Sequence, residues 1–210
     1  MKRHPLKQRI EEGEGLHLDF KFEISDATKI ARSLVAFANT DGGSLLVGVK
    51  DNGVLRGITS EEECYMVEMA AQHHCKPEVK FHTKEWNVKG IKILEIIIPK
   101  GEDIPYRAPD KKGKFKAFVH VADENILASG VQMKVWEKEK SNRNVQFFST
   151  NEEYILLRLL KDNQSISLKQ FQKEAQITRF KAENILSNFI VLGLVKMKTT
   201  ADACYFSSKF

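Results

Sequence analysis

Apolar and polar residues alternate near the start of the chain and predict a half-buried β-strand. In residues 16–24 (LHLDFKFEI), apolar residues occupy every second position, which is the period of one face of a sheet. Residues 26–39 change to the spacing of an amphipathic helix, with Ser25 as the predicted N-cap. Residues 44–49 are almost entirely apolar and predict a central strand, and the Asp51-Asn52-Gly53 sequence that follows predicts a hairpin turn.

The rest of this first part adds one helix and three strands. Ser60 and Glu63 form a predicted capping box at the start of a second helix. Residues 84–88 and 91–98 predict a hairpin, and residues 115–121 (FKAFVHV) predict a last strand. We therefore expect an α+β unit in which helices pack against a mixed β-sheet.

The second part of the chain has the pattern of a small winged helix-turn-helix. Three short segments with helical spacing follow one another, and two short strands at residues 194–198 and 203–207 complete a terminal hairpin. The predicted N-caps of the three helices are Ser149 (with Glu152 as its capping-box partner), Ser167 and Thr178.

A run of alternating charges separates the two parts. In residues 136–144 (WEKEKSNRN) the apolar pattern stops, which is typical of a linker. We predict a first domain over residues 10–132, a linker over residues 133–147 and a winged-helix domain over residues 148–210.

Length, charge and cysteine content narrow the class of protein further. The chain of 210 residues has no apolar run long enough to span a membrane, so we do not expect a membrane partner. Three scattered cysteines without a CxxC pair favour a reducing compartment, and we expect a cytoplasmic protein. The net charge of +5 lies entirely in residues 131–210, which hold 13 basic and 8 acidic residues and so favour a partner with a phosphate backbone.

Four motifs occur together and in order in the first part of the chain. They are EGLHLDFK at 14–21, AFANTDGG at 36–43, LVGVKDNG at 46–53 and FVHVADENILAS at 118–129. With these motifs the chain resembles, over residues 10–130, the Schlafen AlbA-like domain, also named the divergent AAA domain. The resemblance implies a bacterial protein that binds nucleic acid. In relatives of this kind a winged helix behind the domain is usually associated with transcriptional regulation.

The resemblance also implies a candidate metal site. Some Schlafen-type relatives are metal-dependent ribonucleases, and their acidic trio, matched residue by residue, falls on Glu14, Asp19 and Asp51. Carboxylates that converge on Mg²⁺ or Mn²⁺ orient water and stabilise the charge that develops during phosphodiester cleavage. Asp19 stands where the family usually has glutamate, and its convergence with Glu14 requires a bend near Gly15.

The Gly42-Gly43 pair lacks the features of a phosphate loop. The chain contains no GxxxxGK[ST] motif, and these glycines follow a predicted helix and precede a strand. A phosphate loop runs in the opposite order, from a strand into the N-terminus of a helix. We therefore predict a helix stop at residues 39–43 and do not expect ATP as a cofactor.

The third helix of the predicted winged helix presents candidate DNA contacts. With Ala182 at the buried centre, a helical projection places polar side chains on the outer face, where they could contact phosphates or base edges. The predicted nucleic-acid contacts are Arg179, Lys181, Asn184, Ser187 and Asn188 in this helix, with Lys21 and Arg107 in the first domain.

These patterns leave three hypotheses for function. The first is a homodimeric regulator that binds duplex DNA, and the second is a metal-dependent endoribonuclease that uses the acidic trio. The third is a protein-interaction adaptor without catalysis. A regulator should bind duplex DNA with a marked salt dependence, a nuclease should need a divalent cation, and an adaptor should do neither.

Overall fold

The computed structural model describes residues 4–58, 62–141 and 148–209. The chain forms two compact units, Met1–Leu127 and Ala128–Phe210, each with a hydrophobic core of its own. In the part of the chain that the structure describes, no helix has the length and apolar composition needed to cross a membrane. Both the α+β class and the C-terminal winged helix expected from the sequence are confirmed.

A four-stranded mixed sheet forms the centre of the first unit. Its strands are β1 (Leu18–Lys21), β2 (Gly43–Val47), β3 (His82–Val88) and β4 (Ile91–Ile98), in the order β1-β2-β4-β3. The β1 and β2 strands are parallel, and β4 is antiparallel to both of its neighbours. The β1 strand is therefore an edge strand of this sheet.

Helices cover both faces of this sheet. On one face, α2 (Ala27–Ala38) and α3 (Glu62–His73) bury Leu34 and Phe37 against Leu45 and Ile96. On the other face, α1 (Pro5–Glu12) buries Leu6 in a second cluster that includes strand residues of β1 and β2. The sequence analysis missed α1, because a helix of eight residues with one fully buried side chain has too few apolar positions to reveal a period.

Two short hairpins complete the first unit. They consist of β5 (Ala108–Pro109) with β6 (Phe115–Lys116) and of β7 (Phe118–Val121) with β8 (Glu124–Leu127). The strand predicted over residues 115–121 is thus two strands that pair with different partners. The hairpin predicted around residues 51–53 is reduced to a single bridge between Val49 and Leu55. The chain leaves β2 at Gly48, where φ is +92°.

The second unit has winged-helix topology preceded by one additional helix. The elements are α4 (Gly130–Lys140), α5 (Asn151–Asp162), β9 (Ile166–Ser167), α6 (Leu168–Ala175), α7 (Arg179–Val191), β10 (Val195–Thr199) and β11 (Cys204–Ser208). The strands form a sheet in the order β10-β11-β9. The core of the second unit contains Phe171, Leu186, Phe189 and Phe206, all of which are fully buried.

The segment predicted as a linker differs from the structure. Residues 133–140 belong to α4, which begins at the N-cap Ser129 and buries Val131 and Val135 in the core of the second unit. Glu137, Glu139 and Lys140 of this segment are exposed, whereas Lys138 is half-buried against α7. The sequence analysis therefore mistook a helix with a charged outer side for a linker. Ser141 is the C-cap of α4, and the last predicted linker residues, 142–147, lie outside the described residues.

Two predicted helix caps are displaced by one residue. The α2 helix is capped by Asp26 rather than Ser25, and α5 by a capping box of Thr150 with Glu153 rather than Ser149 with Glu152. Neighbouring polar residues compete for a cap, and the backbone geometry decides between them. The N-caps Ser167 and Thr178 are confirmed. The capping box predicted at Ser60 falls outside the described residues.

Candidate functional site

A turn at Gly15 brings the first two residues of the predicted acidic trio together. Backbone hydrogen bonds in both directions between Gly15 and Leu18, of 2.8 and 3.1 Å, close the turn. The Glu14 carboxylate then accepts a 2.8 Å hydrogen bond from the Phe20 amide and contacts the carboxyl of Asp19. Asp19 is only 3% exposed, although the alternating sequence pattern predicts a solvated position. The bend that this convergence requires is therefore present.

Lys21 neutralises the same pair of carboxyl groups. Its Nζ lies 2.6 Å from Asp19 Oδ1 and donates a 2.8 Å hydrogen bond to the Phe20 carbonyl. Burial and the hydrogen bond to Asp19 raise the pKa of Glu14 to about 7, against the opposing effects of the Phe20 amide and Lys21. Below about pH 7, Glu14 is therefore mostly protonated and shares its proton with the Asp19 carboxyl, while Asp19 is paired with the lysine.

Asp51 does not join this pair. It is exposed in the turn that begins at Lys50, whose carbonyl accepts the 2.7 Å hydrogen bond of the Gly53 amide. Among the described residues, no three histidine, cysteine or acidic side chains are grouped so that they could hold a metal ion. A divalent cation would also have to displace both the Lys21 ammonium and the proton on Glu14. The residues present do not fit Mg²⁺ or Mn²⁺, so the predicted trio is not assembled.

A buried histidine, His120, hydrogen bonds to the turn at Gly15 that brings Glu14 and Asp19 together. His120 is 1% exposed, and its Nε2 lies 3.1 Å from the Gly15 carbonyl, to which an N–H at this position donates. Its Nδ1 lies 2.9 Å from Asn125 Oδ1, and Asn125 in turn donates to Ser33 Oγ on α2. This chain ties the Gly15 turn to the helix layer. His120 therefore has a positioning role that the sequence analysis did not assign to it.

The AFANTDGG motif organises the fold around α2. Asn39 donates to the carbonyls of Tyr106 and Phe118 at 2.8 Å each, and its Oδ1 accepts from the Tyr106 amide at 2.7 Å. A Cβ at Gly42 would lie 2.7 Å from a backbone carbonyl of β4, and one at Gly43 would lie 2.4 Å from the Phe37 ring. The glycines follow a helix and precede a strand, which is opposite to the order in a phosphate loop.

The predicted recognition face of α7 is covered by α4. Lys138 of α4 donates to the Asn184 carbonyl at 3.1 Å and to Asn188 Oδ1 at 2.6 Å, and it also hydrogen bonds to Ser187 Oγ. Ser187 is completely buried as a result. In this structure these three residues contact the protein itself, so the helical projection was wrong to place them on a free face.

The first turn of α7 remains accessible. Arg179 and Lys181 are both exposed, and each is paired with a carboxylate. Arg179 Nε lies 2.8 Å from Glu183 Oε1, and Lys181 Nζ lies 2.6 Å from Glu152 Oε1 on α5. Ion pairs this exposed are weak, because water and salt screen them. A phosphate could therefore compete for both basic side chains.

The β10–β11 hairpin presents a basic face that the sequence analysis did not select. Lys196 and Lys198 are exposed and lie on one side of β10, and Tyr205, also exposed, pairs with Lys198 across the ladder. The opposite side of the hairpin buries Val195 and Phe206 in the core. The alternation of apolar residues and lysines in residues 195–199 (VKMKT) could have revealed this face, because it places both lysines on the side of the strand away from the core.

Lys21 and Arg107, the two residues of the first unit that were predicted to contact nucleic acid, lie in different environments. The Lys21 ammonium is engaged by Asp19 and the Phe20 carbonyl, so it is not free to bind a phosphate. Arg107 is half-buried, and its backbone forms a bridge with Lys76 at the end of α3. The structure therefore brings Lys21 to the acidic pair and Arg107 to a separate region of the surface.

Comparison with known proteins identifies the first unit. A family model described as Schlafen, AlbA_2 matches residues 14–129, more than half of the chain. The chain belongs to the Schlafen AlbA_2 family. A model of the PCI domain matches residues 153–202, within the winged-helix unit. No curated protein matches the chain.

Two solved structures are similar to this Schlafen AlbA_2 protein at low sequence identity. The DIP2311 protein from Corynebacterium diphtheriae matches at 17% identity and a TM-score of 0.46, over 92% of this chain and 34% of its own. The N-terminal domain of a RecG-related protein from Nitrosomonas europaea matches at 20% identity and a TM-score of 0.38, over 59% of this chain and 87% of that domain. This chain thus spans about a third of the Corynebacterium protein.

The extent of the Schlafen AlbA_2 match agrees with the division of the structure. It begins at Glu14 in the acidic pair and ends at Ser129, the N-cap of α4. The matched region includes Asn39, which hydrogen bonds to Tyr106 and Phe118, and the buried His120. The polar network described above therefore lies within the family domain, whereas α4 and the winged helix follow it.

Proposed function

We propose that this Schlafen AlbA_2 protein binds nucleic acid and acts as a duplex-DNA-binding regulator through its winged-helix unit. The observation that carries the proposal is the exposed face of the β10–β11 hairpin, where Lys196 and Lys198 lie beside Tyr205. Lysines positioned by a rigid hairpin can contact successive phosphates, and the tyrosine adds a polar aromatic contact.

The distribution of charge supports the same surface. Residues 131–210 hold 13 basic and 8 acidic residues, the whole net charge of the chain. At least one of these acidic side chains, that of Glu153, is withdrawn into the fold as part of a capping box. In a winged helix the start of the third helix approaches the DNA groove, so Arg179 and Lys181 would add phosphate contacts to those of the hairpin.

The proposed mechanism is binding alone, in the cytoplasm and as a homodimer. Cys64, Cys75 and Cys204 all lie in the described part of the chain and form no disulfide there, which is compatible with a reducing compartment. A two-fold dimer would present two winged helices to a symmetric DNA site and increase affinity through two half-sites. The endoribonuclease alternative is less favoured, because Asp51 lies apart from Glu14 and Asp19.

Fluorescence anisotropy with labelled duplex DNA tests the proposal. The Lys196→Ala/Lys198→Ala variant should bind more weakly, and the slope of log K against log salt should fall by about one unit for each lysine that no longer binds a phosphate. The Arg158→Ala/Lys161→Ala variant, which removes the same charge from the exposed side of α5, is the matched control. Equally weakened binding in both variants would mean that net charge, and not the hairpin face, drives binding.

A parallel gel separates the proposed function from its alternatives. Labelled structured RNA and duplex DNA are incubated with the protein in Mn²⁺, in Mg²⁺ or in EDTA, beside an Asp19→Ala variant. The proposal predicts a shift of duplex DNA with the RNA intact in every lane. Metal-dependent RNA fragments that disappear with Asp19→Ala would replace it with the ribonuclease hypothesis. Neither a shift nor cleavage would favour the adaptor.

A further inference from the structure

A groove in the first unit gathers basic side chains from three separate elements. It has a volume of about 620 Å³ and lies between the start of α2, the end of α3 and the loop that joins β5 to β6. The side chains that matter for its chemistry are Arg32, His73, His74, Lys76, Lys111 and Phe115. None of these residues belongs to the acidic pair or to the winged helix.

Two of the basic groups are held in place by other parts of the unit. Arg32 Nε donates a 3.0 Å hydrogen bond to the Pro109 carbonyl, which fixes the plane of the guanidinium at the groove. The Lys76 ammonium lies 4.3 Å from the centroid of the Phe115 ring, within the range of a cation–π contact. A guanidinium fixed at one nitrogen still has donors on its terminal nitrogens for an anion.

The two carboxylates in the groove are occupied by the backbone. Asp26 Oδ1 accepts from the amides of Thr28 and Lys29, and Asp110 Oδ1 accepts from the amides of Lys112 and Lys114. These hydrogen bonds keep the pKa of Asp110 below its usual value, and the Asp26 pKa is lowered in the same way against the cost of its slight burial. Both carboxylates therefore stay ionised, and the backbone N–H groups at Oδ1 of each screen part of that charge from an anion in the groove.

Residues 73–75 (His-His-Cys), at the end of α3, are divided between this groove and the core. His73 and His74 both line it, whereas Cys75 is buried and its thiol lies 3.7 Å from the Ala31 carbonyl in the core. The three side chains therefore do not share one metal ion. An imidazole N–H is a suitable donor to a phosphate oxygen and adds to the charge when it is protonated.

We propose that this groove binds the phosphate monoester of a nucleotide, either free or at the 5′ end of a nucleic-acid strand. Arg32 would contact two of the three terminal phosphate oxygens through its terminal nitrogens, and Lys76, Lys111 and the two imidazoles would contact the third oxygen and the free lone pairs of the other two. A monoester dianion suits the groove better than a backbone diester, because basic side chains from three elements line it and a dianion carries twice the charge of a diester. The site is separate from the proposed duplex-binding hairpin and takes a different chemical group.

Isothermal titration calorimetry with the full chain tests this site. The probes are inorganic phosphate, AMP and a single-stranded DNA octamer with either a 5′-phosphate or a 5′-hydroxyl. We expect saturable binding of AMP or of the 5′-phosphorylated octamer, and at least tenfold weaker binding of the 5′-hydroxyl octamer. Preference for AMP would identify a free nucleotide as the ligand, and preference for the phosphorylated octamer would identify a strand end.

Charge-matched variants decide whether the groove is responsible. Lys76→Gln/Lys111→Gln alters two exposed side chains and should weaken binding by about tenfold or more. Lys89→Gln/Lys92→Gln, which removes the same charge from the β3–β4 hairpin, should bind as the wild type does. In the wild type, NMR signals of the His73 and His74 rings should shift on addition of the bound probe.

Three results would overturn the proposal. The first is the absence of saturable binding with every probe. The second is equal binding by the Lys76→Gln/Lys111→Gln and Lys89→Gln/Lys92→Gln variants, and the third is that the histidine ring signals stay unchanged at saturation. Duplex DNA binding by the Lys76→Gln/Lys111→Gln variant, measured in parallel, keeps this site distinct from the proposed function. If the groove does not bind a phosphate monoester, the prediction that Lys196 and Lys198 bind duplex DNA is unaffected. If those lysines do not bind duplex DNA, the prediction for the groove is likewise unaffected.

Discussion

Buried polar residues in the first unit are connected to one another rather than isolated. His120 reaches the Gly15 carbonyl and Asn125, and Asn39 joins α2 to two segments distant in sequence. Among the described residues, no buried side-chain nitrogen or oxygen lacks a hydrogen-bond partner. Because an unpaired buried polar atom is costly, each member of such a network contributes to stability more than an exposed polar residue does.

Replacing Glu14 by Gln should flatten the dependence of stability on pH. The folded-state pKa of Glu14, about 7, lies above its ordinary value of 4.5, so the folded protein binds the proton more tightly than the unfolded chain does. The free energy of unfolding should therefore be greatest below the lower value and decrease as the pH rises to about 7. With allowance for solvent screening at this partly exposed group, the decrease should be about 1 kcal/mol.

Urea denaturation at several pH values from about 5 to 8 measures this effect. The Glu14→Gln variant should lose most of the decrease, since an amide can still accept from the Phe20 amide and donate to Asp19. The Glu23→Gln variant, at an exposed position after β1, is the control and should follow the wild-type profile. Identical profiles for Glu14→Gln and wild type would rule out the shared proton.

Replacing Asn39 by Ala should destabilise the first unit strongly. The change leaves the Tyr106 amide and the carbonyls of Tyr106 and Phe118 without their partner in a buried place. We expect the free energy of unfolding to decrease by about 2–4 kcal/mol. The exposed Asn52→Ala change, measured in the same denaturation series, should cost less than about 1 kcal/mol. A small effect at Asn39 would mean that water replaces its contacts.

At the scale of elements, the most consequential contact is the packing of α4 on α7. The α7 helix buries one face against α5, α6 and the sheet of its unit, and α4 covers much of the rest through Lys138. Glu183 is also enclosed, because its carboxylate lies against Gly130 at the start of α4, where a Cβ would be only 2.3 Å away. A carboxylate at a helix N-terminus is stabilised by the helix dipole.

Removing the ammonium of Lys138 should loosen α4 without unfolding the unit. Lys138→Met keeps the apolar stem but removes the hydrogen bonds to Asn184, Ser187 and Asn188. We expect the free energy of opening α4 to decrease by about 1–2 kcal/mol. Hydrogen exchange measured by mass spectrometry should show faster exchange in α4, whereas Glu139→Ala on its exposed side should leave the exchange unchanged. Slow exchange in both variants would show that other contacts of α4, such as those of the buried Val131 and Val135, hold it without Lys138.

At the scale of the whole molecule, the two units have separate hydrophobic cores. Leu34 and Phe37 are buried in the first, and Phe171 and Leu186 are buried in the second. A cavity in one core should therefore destabilise that unit first. Leu34→Ala and Leu186→Ala should each lower the free energy of unfolding of their own unit by about 3 kcal/mol.

Hydrogen exchange resolved by peptide distinguishes the two units in this experiment. Protection should decrease in β2 and β4 for Leu34→Ala and in α5 and β11 for Leu186→Ala, while the other unit keeps its wild-type protection. A decrease of protection in both units from either change would mean that the chain unfolds as one cooperative body, in spite of its two cores.

Periodicity alone predicted the elements whose apolar faces are long. Residues 91–98 were predicted with the same bounds as the strand, because β4 is a central strand whose isoleucines and leucine are mostly buried, and only Lys92 and Glu95 interrupt its apolar sequence. The winged helix was recognisable because its caps, helical spacing and terminal hairpin agree with one another. In contrast, α1 and α4 each bury few side chains, so their sequences look like a basic terminus and a charged linker.

The sequence by itself determined the fold class, the order of most elements and the family, because these depend on local periodicity and on motifs that lie along the chain. Only the tertiary structure decided which polar residues meet. Glu14 and Asp19 converge through the Gly15 turn while Asp51 does not, and Asn184 and Asn188 face Lys138 instead of solvent. A helical projection or a residue spacing describes one element, whereas a site depends on which second element packs against it, and that choice is made by the folded core as a whole.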